Sequence, residues 1–158
     1  MAITVVGTPQ VANASNGADV TLTFSTTPSE NDVVVVWGGA SGYSSPNPAA
    51  PGTGYTQVAL NATSGLYFGV WYKRMGASPD SSVLCRGNGV VSASTAYGCY
   101  VLRGVDTTTF NDATATTAGI TTSANPDCPS ITTVTNNAWV IAAAGGRFYD
   151  LTPGTVSG

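Results

Sequence analysis

Apolar residues in this chain either alternate with polar ones or gather in short β-branched blocks, and clusters of Gly, Pro, Asn and Ser separate the blocks. Almost nothing recurs at the three-and-four spacing of a helix. Successive side chains of a strand point to opposite faces, so this pattern predicts extended, half-buried segments. Residues 2–6 read as a first strand, closed by Gly7-Thr8-Pro9. After Asn16-Gly17, residues 18–24 set Val20, Leu22 and Phe24 on one face. Residues 33–37 are apolar without interruption, which predicts cover on both faces, as in a central strand or one at an interface. Residues 56–60 make a short strand. Leu66–Arg74 is the clearest, with Leu66, Phe68, Val70 and Tyr72 on one side and Tyr67, Gly69, Trp71 and Lys73 on the other. Residues 81–86, 93–105, 131–135 and 138–144 complete the set.

Loops fill the rest. Residues 26–32 are polar, residues 61–65 turn the chain, and residues 107–125 are Thr-rich, a loop or an edge segment. Residues 38–55 are irregular and rich in Gly and Pro, and a loop of that length is usually functional or packed by a partner. Eight or nine strands without crossover helices predict an all-β fold: a single antiparallel β-sandwich of the jelly-roll kind over residues 1–145. Residues 146–158 form an irregular tail, free to swap or to build an interface.

Composition sharpens this. The 158 residues amount to one domain, and 42% of them are hydrophobic, enough for a core without a metal or a staple. Only 8% are charged, against about 25% for an average soluble domain, while Thr numbers 23 and Ser 15. A neutral hydroxyl-rich surface suits a protein packed among its own copies, held on a larger particle, or glycosylated. Five scattered basic residues in a chain of net charge −3 offer no stripe for nucleic acid. The N-terminus has no basic region, long apolar run or cleavage site, which predicts either synthesis and use without export, the simpler reading, or a signal already removed. No segment approaches the ~18 apolar residues of a membrane helix, so no membrane partner is expected.

Candidate chemistry is sparse. The absence of His removes the His-based catalytic dyads and the common zinc sites. The acids Asp19, Glu30, Asp32, Asp80, Asp106, Asp112, Asp127 and Asp150 are dispersed beside turns and strand ends. No local pattern pairs two carboxylates across a sugar, and no nucleophile elbow or phosphate loop is present. The expectation is a non-enzyme with no catalytic residues, cofactor or metal. Cys85 and Cys99 lie in two strand-like runs joined by Gly87-Asn88-Gly89; neighbouring antiparallel strands would bring their sulfurs together as a disulfide, leaving Cys128 over. Three small buried thiols are the other reading. The sequons Asn13-Ala14-Ser15 and Asn61-Ala62-Thr63 fall in expected turns and would carry glycans only in a secreted protein, as would residues 107–123 for O-glycans. Trp37, Tyr43, Tyr55, Tyr67, Trp71, Phe148 and Tyr149 serve either as core and interface or as stacking platforms for sugar rings.

The succession Val70-Trp71-Tyr72-Lys73, Tyr100-Val101-Leu102-Arg103-Gly104-Val105-Asp106, Pro129-Ser130-Ile131-Thr132-Thr133-Val134-Thr135 and Ala138-Trp139-Val140-Ile141-Ala142-Ala143-Ala144 resembles jelly-roll modules of tailed-phage virion proteins. The likeness spans about residues 30–145 and lies in the strand pattern, with no catalytic motif. It implies capsid decoration or a tail or fibre part, often trimeric. The family pattern continues after the Ala-rich strand with a last Trp/Leu-containing strand, whereas this sequence stops at Gly158; a missing strand would leave an edge open for a neighbour.

The expected function is therefore a non-enzymatic structural protein of a bacteriophage virion, acting through self-assembly and packing on a capsid or tail scaffold. Two alternatives stand beside it: an extracellular glycosylated filament or surface-layer subunit, and a carbohydrate-binding module.

Overall fold

The alternation condenses into eight strands among the described residues: β1 (Thr4–Val5), β2 (Gln10–Ser15), β3 (Val20–Thr23), β4 (Val33–Ser41), β5 (Thr56–Thr63), β6 (Leu66–Arg74), β7 (Ser82–Cys85) and β8 (Ser94–Arg103). The structure is a computed structural model that describes residues 2–41, 51–63, 65–87, 89–90, 93–117 and 129–145. No helix occurs among them. The chain is all-β and every strand pairing is antiparallel.

The main sheet runs β1-β8-β4-β6-β5, with β2 also on β8. Leu102 has Val33 on one side and Val5 on the other, so β1 and β2 lie end to end along the flank of β8 that β4 leaves free. Between Val5↔Leu102 and Gln10↔Cys99 five steps on the N-terminal segment answer three on β8, and Gly7-Thr8-Pro9 takes up the slack. Strands β3 and β7 form a separate two-stranded sheet.

Strand β4 explains the layering. Every residue from Val33 to Ala40 is buried, and alternate side chains serve different cores. Val34 and Val36 join Trp71, Tyr97, Cys99 and Val101 beneath the small sheet, which contributes Val20, Leu22, Val83 and Cys85. Val33, Val35 and Trp37 face the other way with Tyr100 and Leu102, under Phe110, Trp139, Ile141 and Ala143. The unbroken apolar run is thus covered on both faces, by a sheet on one and by irregular chain on the other. Two glycines make room for the large rings. A Cβ on Gly98 would stand 2.5 Å from the Trp37 ring, and one on Gly69 would stand 2.5 Å from that of Trp71.

Several expectations change. Residues 131–135 and 138–144 are not strands; only Val140 makes an isolated bridge. Trp139, Ile141 and Ala143 still turn inward while Val140, Ala142 and Ala144 are exposed, because an extended segment laid on a sheet face shows the same period as a strand. Strand β4 extends through Gly38 to Ser41, residues expected to begin the long loop. Strand β2 was not anticipated at all. The tail 146–158 and residues 42–50 of the long loop lie outside the described residues.

Candidate functional site

Charge within the strands is confined to Lys73, Arg74 and Arg103, all at the ends of the inner strands β6 and β8. Each is engaged. Arg103 donates to both carboxylate oxygens of Asp32, from Nε at 2.9 Å and from Nη2 at 2.7 Å, and also to Ser29 Oγ at 2.9 Å. The Asp32 side chain is only 3% exposed. Burial alone would raise its pKa, but Arg103 and the Ser29 amide hold it below the ordinary carboxylate range. Lys73 Nζ lies 2.6 Å from Asp80 and 5.8 Å from the centre of the Tyr55 ring. Arg74 donates to the main-chain carbonyls of Asn31 and Asp106.

Two further acids act as clasps. Asp106 accepts from the Thr108 hydroxyl and the Thr108 and Thr109 amides, which together draw its pKa down to about 2. Asp112 accepts from the Thr135 hydroxyl and from the Val134 and Thr135 amides, and its pKa is lowered in turn. It ties the two halves of the irregular cover together. At the opposite end, Asp19 takes the Gly87 amide at 2.8 Å and Arg86 at 2.7 Å, and both lower its pKa.

The two described thiols and the expected aromatics that fall among the described residues pack into the core. Cys85 and Cys99 are free and buried, and the expected disulfide is not formed. The runs that carry them are not neighbours in one sheet: β7 pairs with β3, whereas β8 pairs with β2 and β4, so the two cysteines enter one core from different sheets. Burial pushes both thiols up to about 12, which leaves them protonated and unreactive at neutral pH. Cys128 lies outside the described residues.

Trp71 is 0% exposed, and Tyr67 and Trp37 are buried with it, so none of the three is a sugar platform. The Tyr97 hydroxyl donates to the Arg86 carbonyl at 3.0 Å and lies 3.1 Å from the Tyr67 hydroxyl, a polar link between the two sheets. Trp37 stacks on Tyr100 with ring centres 4.6 Å apart. Tyr55 is half-buried against the first core. Tyr43, Phe148 and Tyr149 lie outside the described residues. Both sequons sit on strands rather than in turns: Asn13 is exposed on β2 and Asn61 is half-buried on β5.

No group of three or more Cys, Asp or Glu that could hold a metal ion converges among the described residues. Two shallow surface clefts open among the described residues. One, of about 390 Å³, is lined by Thr56, Tyr72, Lys73, Arg74, Thr108 and Phe110, and its two cations are those already engaged. The other, of about 570 Å³, runs between Val58 and residues 111–115.

What stands out instead is the rim of the fold. Strands β1, β2, β3, β5 and β7 flank their sheets and carry no charged residue and no proline. Natural edges are ordinarily blunted by lysine, proline, bulges or very short strands, because an edge offers unpaired N–H and C=O groups to any passing strand; β1 is very short and β5 is bulged, whereas β2 has none of these devices. Sequence reasoning noted the low charge but missed β2, whose inward side chains Gln10, Ala12 and Ala14 give almost no hydrophobic signal. No family model, curated protein or solved structure matches this chain.

Proposed function

We propose that this protein is a non-enzymatic structural subunit of a virion, a capsid-decoration or tail-associated β-module that works by packing against its own copies and a larger particle. The observation that carries this is the distribution of charge: all of it in the strands lies on inner strands, and every flanking strand is neutral. A monomer that must stay apart from its copies charges its edges; one that is stored against neighbours does not need to. The paired acids and bases act as internal fasteners, which is consistent with a scaffold role. Sedimentation velocity over a concentration series, with electron microscopy of the native material, tests the proposal. Oligomers or a particle-bound state are expected. A clean monomer at every concentration, without affinity for capsids, would sink it.

One observation favours a second reading, a glycosylated extracellular filament or surface-layer subunit: Asn13 of Asn13-Ala14-Ser15 is exposed. Intact-mass measurement decides this. Sugar mass on Asn13 supports it, and an unmodified mass removes it.

A further inference from the structure

We infer that β2 is a strand-addition edge for β2 of a second copy of this chain, the two joined antiparallel about a two-fold axis; this deepens the proposed self-assembly and rests on it. Among the described residues β2 has a single ladder partner, β8. In an antiparallel ladder every second residue directs its N–H and C=O away from its partner, so a single-partnered strand keeps a row of such groups on its outer side.

The other flanking strands are less suited. Strand β1 has two residues, and β3 and β7 have four each. Strand β5 has eight, but a bulge falls between Gln57 and Ala59, and Val58 there shares a cleft with residues 111–115. Bulges interrupt pairing. Strand β2 keeps one-to-one register over all six residues, from Gln10↔Cys99 to Ser15↔Ser94. Its window is bounded by Pro9, which has no N–H, and by the Asn16-Gly17 turn, both of whose residues have positive φ.

The strand's own pattern selects the occupant. Val11, Asn13 and Ser15 are exposed, Val11 by 46%, whereas Gln10, Ala12 and Ala14 are half-buried. Directly opposed residues of an antiparallel pair lie on the same face, so the two-fold must set odd residues against odd. Two registers satisfy this while keeping five of the six residues opposed. With Ala12 on the axis, Val11 meets Asn13 of the second copy; with Asn13 on the axis, Val11 meets Ser15 and Ala12 meets Ala14. In neither does a charge or a ring oppose its image, so the strand complements itself as it stands. It offers nothing by which a charged foreign segment would be chosen. Joined in this way, the two six-stranded sheets become one.

Charge reversal across the axis tests this. Val11→Lys combined with Asn13→Lys sets like charges opposite each other in both registers, and both positions are exposed, so the fold should be undisturbed, which far-UV circular dichroism and the melting curve check. The dimer dissociation constant should rise at least about tenfold. The control Gln57→Lys, at an exposed position of β5, should leave it unchanged. A 1:1 mixture of the double-Lys variant with Val11→Glu/Asn13→Glu should restore the dimer. If the unmodified protein is monomeric at all concentrations, the proposed function fails and this inference with it. If it assembles but the double-Lys variant assembles equally well, if Gln57→Lys is the disruptive change, or if the mixture fails to re-form the dimer, pairing through β2 is overturned while self-assembly stands.

Discussion

Thr95 on β8 is completely buried and its hydroxyl has no hydrogen-bond partner among the described residues. An unsatisfied buried hydroxyl keeps its desolvation cost, so Thr95→Val, which retains the branched shape, should stabilise the fold by about 1 kcal/mol in urea unfolding. The aspartates work in the opposite sense. Asp19, Asp32, Asp106 and Asp112 all have carboxyls held below their ordinary pKa by bonds that exist only in the folded chain. A carboxyl with a lowered folded-state pKa binds protons more readily when unfolded, so the stability it adds is complete above about pH 4 and is lost as pH falls through the lowered value. For Asp106 that value is about 2. The melting temperature should stay level from neutral pH to about pH 4.5 and then fall steeply. Asp112→Asn should flatten part of that fall, because one of the titrating clasps is gone. The sequence showed these acids at turns and strand ends, but not what they hold: Asp32 and Arg103 are 71 positions apart, and Asp112 and Thr135 are 23 apart.

Among the elements, β4, β6 and β8 carry the load of both cores. Trp71→Ala would empty the centre of the first core and should cost roughly 3–5 kcal/mol. Gly98→Ala would drive a methyl into the Trp37 ring and should cost roughly 1–3 kcal/mol by overpacking. The irregular cover is a different kind of layer. Residues 105–117 and 129–145 bury apolar side chains but share no strand ladder with the sheet below. Their amides should therefore exchange with solvent well before those of β4 and β8, measured by hydrogen–deuterium exchange. Uniform protection across both would contradict this account. Strand β6 was legible at its true bounds because its alternation is strong on both faces. The end of β4 was not: Gly38 and Gly39 suggest a loop, whereas here they admit the neighbouring chains, a Cβ on Gly39 colliding with the Tyr67 carbonyl. The cover was misread as strand because its alternation records one-sided burial and says nothing of ladder partners.

At the scale of the whole molecule, neutrality of the flanking strands sets how assembly answers to salt. Interfaces formed by uncharged edges have little to screen, so the association constant should change by less than about threefold between roughly 50 and 500 mM NaCl. A steep dependence would place the contact on the charged ends instead. The all-β class and the doubly covered run at residue 33 were legible because both are local patterns. The division into a sheet of six and a sheet of two was not, since it depends on which distant segments pair. That pairing also orders events during synthesis. Strand β8 is the ladder partner of β1, β2 and β4, yet it is the last strand of the described chain to be made. Until the ribosome has released Arg103, β1 and β2 have nothing to pair with, and β4 can join only β6. Non-local pairing of this kind is slow. The nascent chain is thus committed late, by a single strand that closes the N-terminal flank and the first core together.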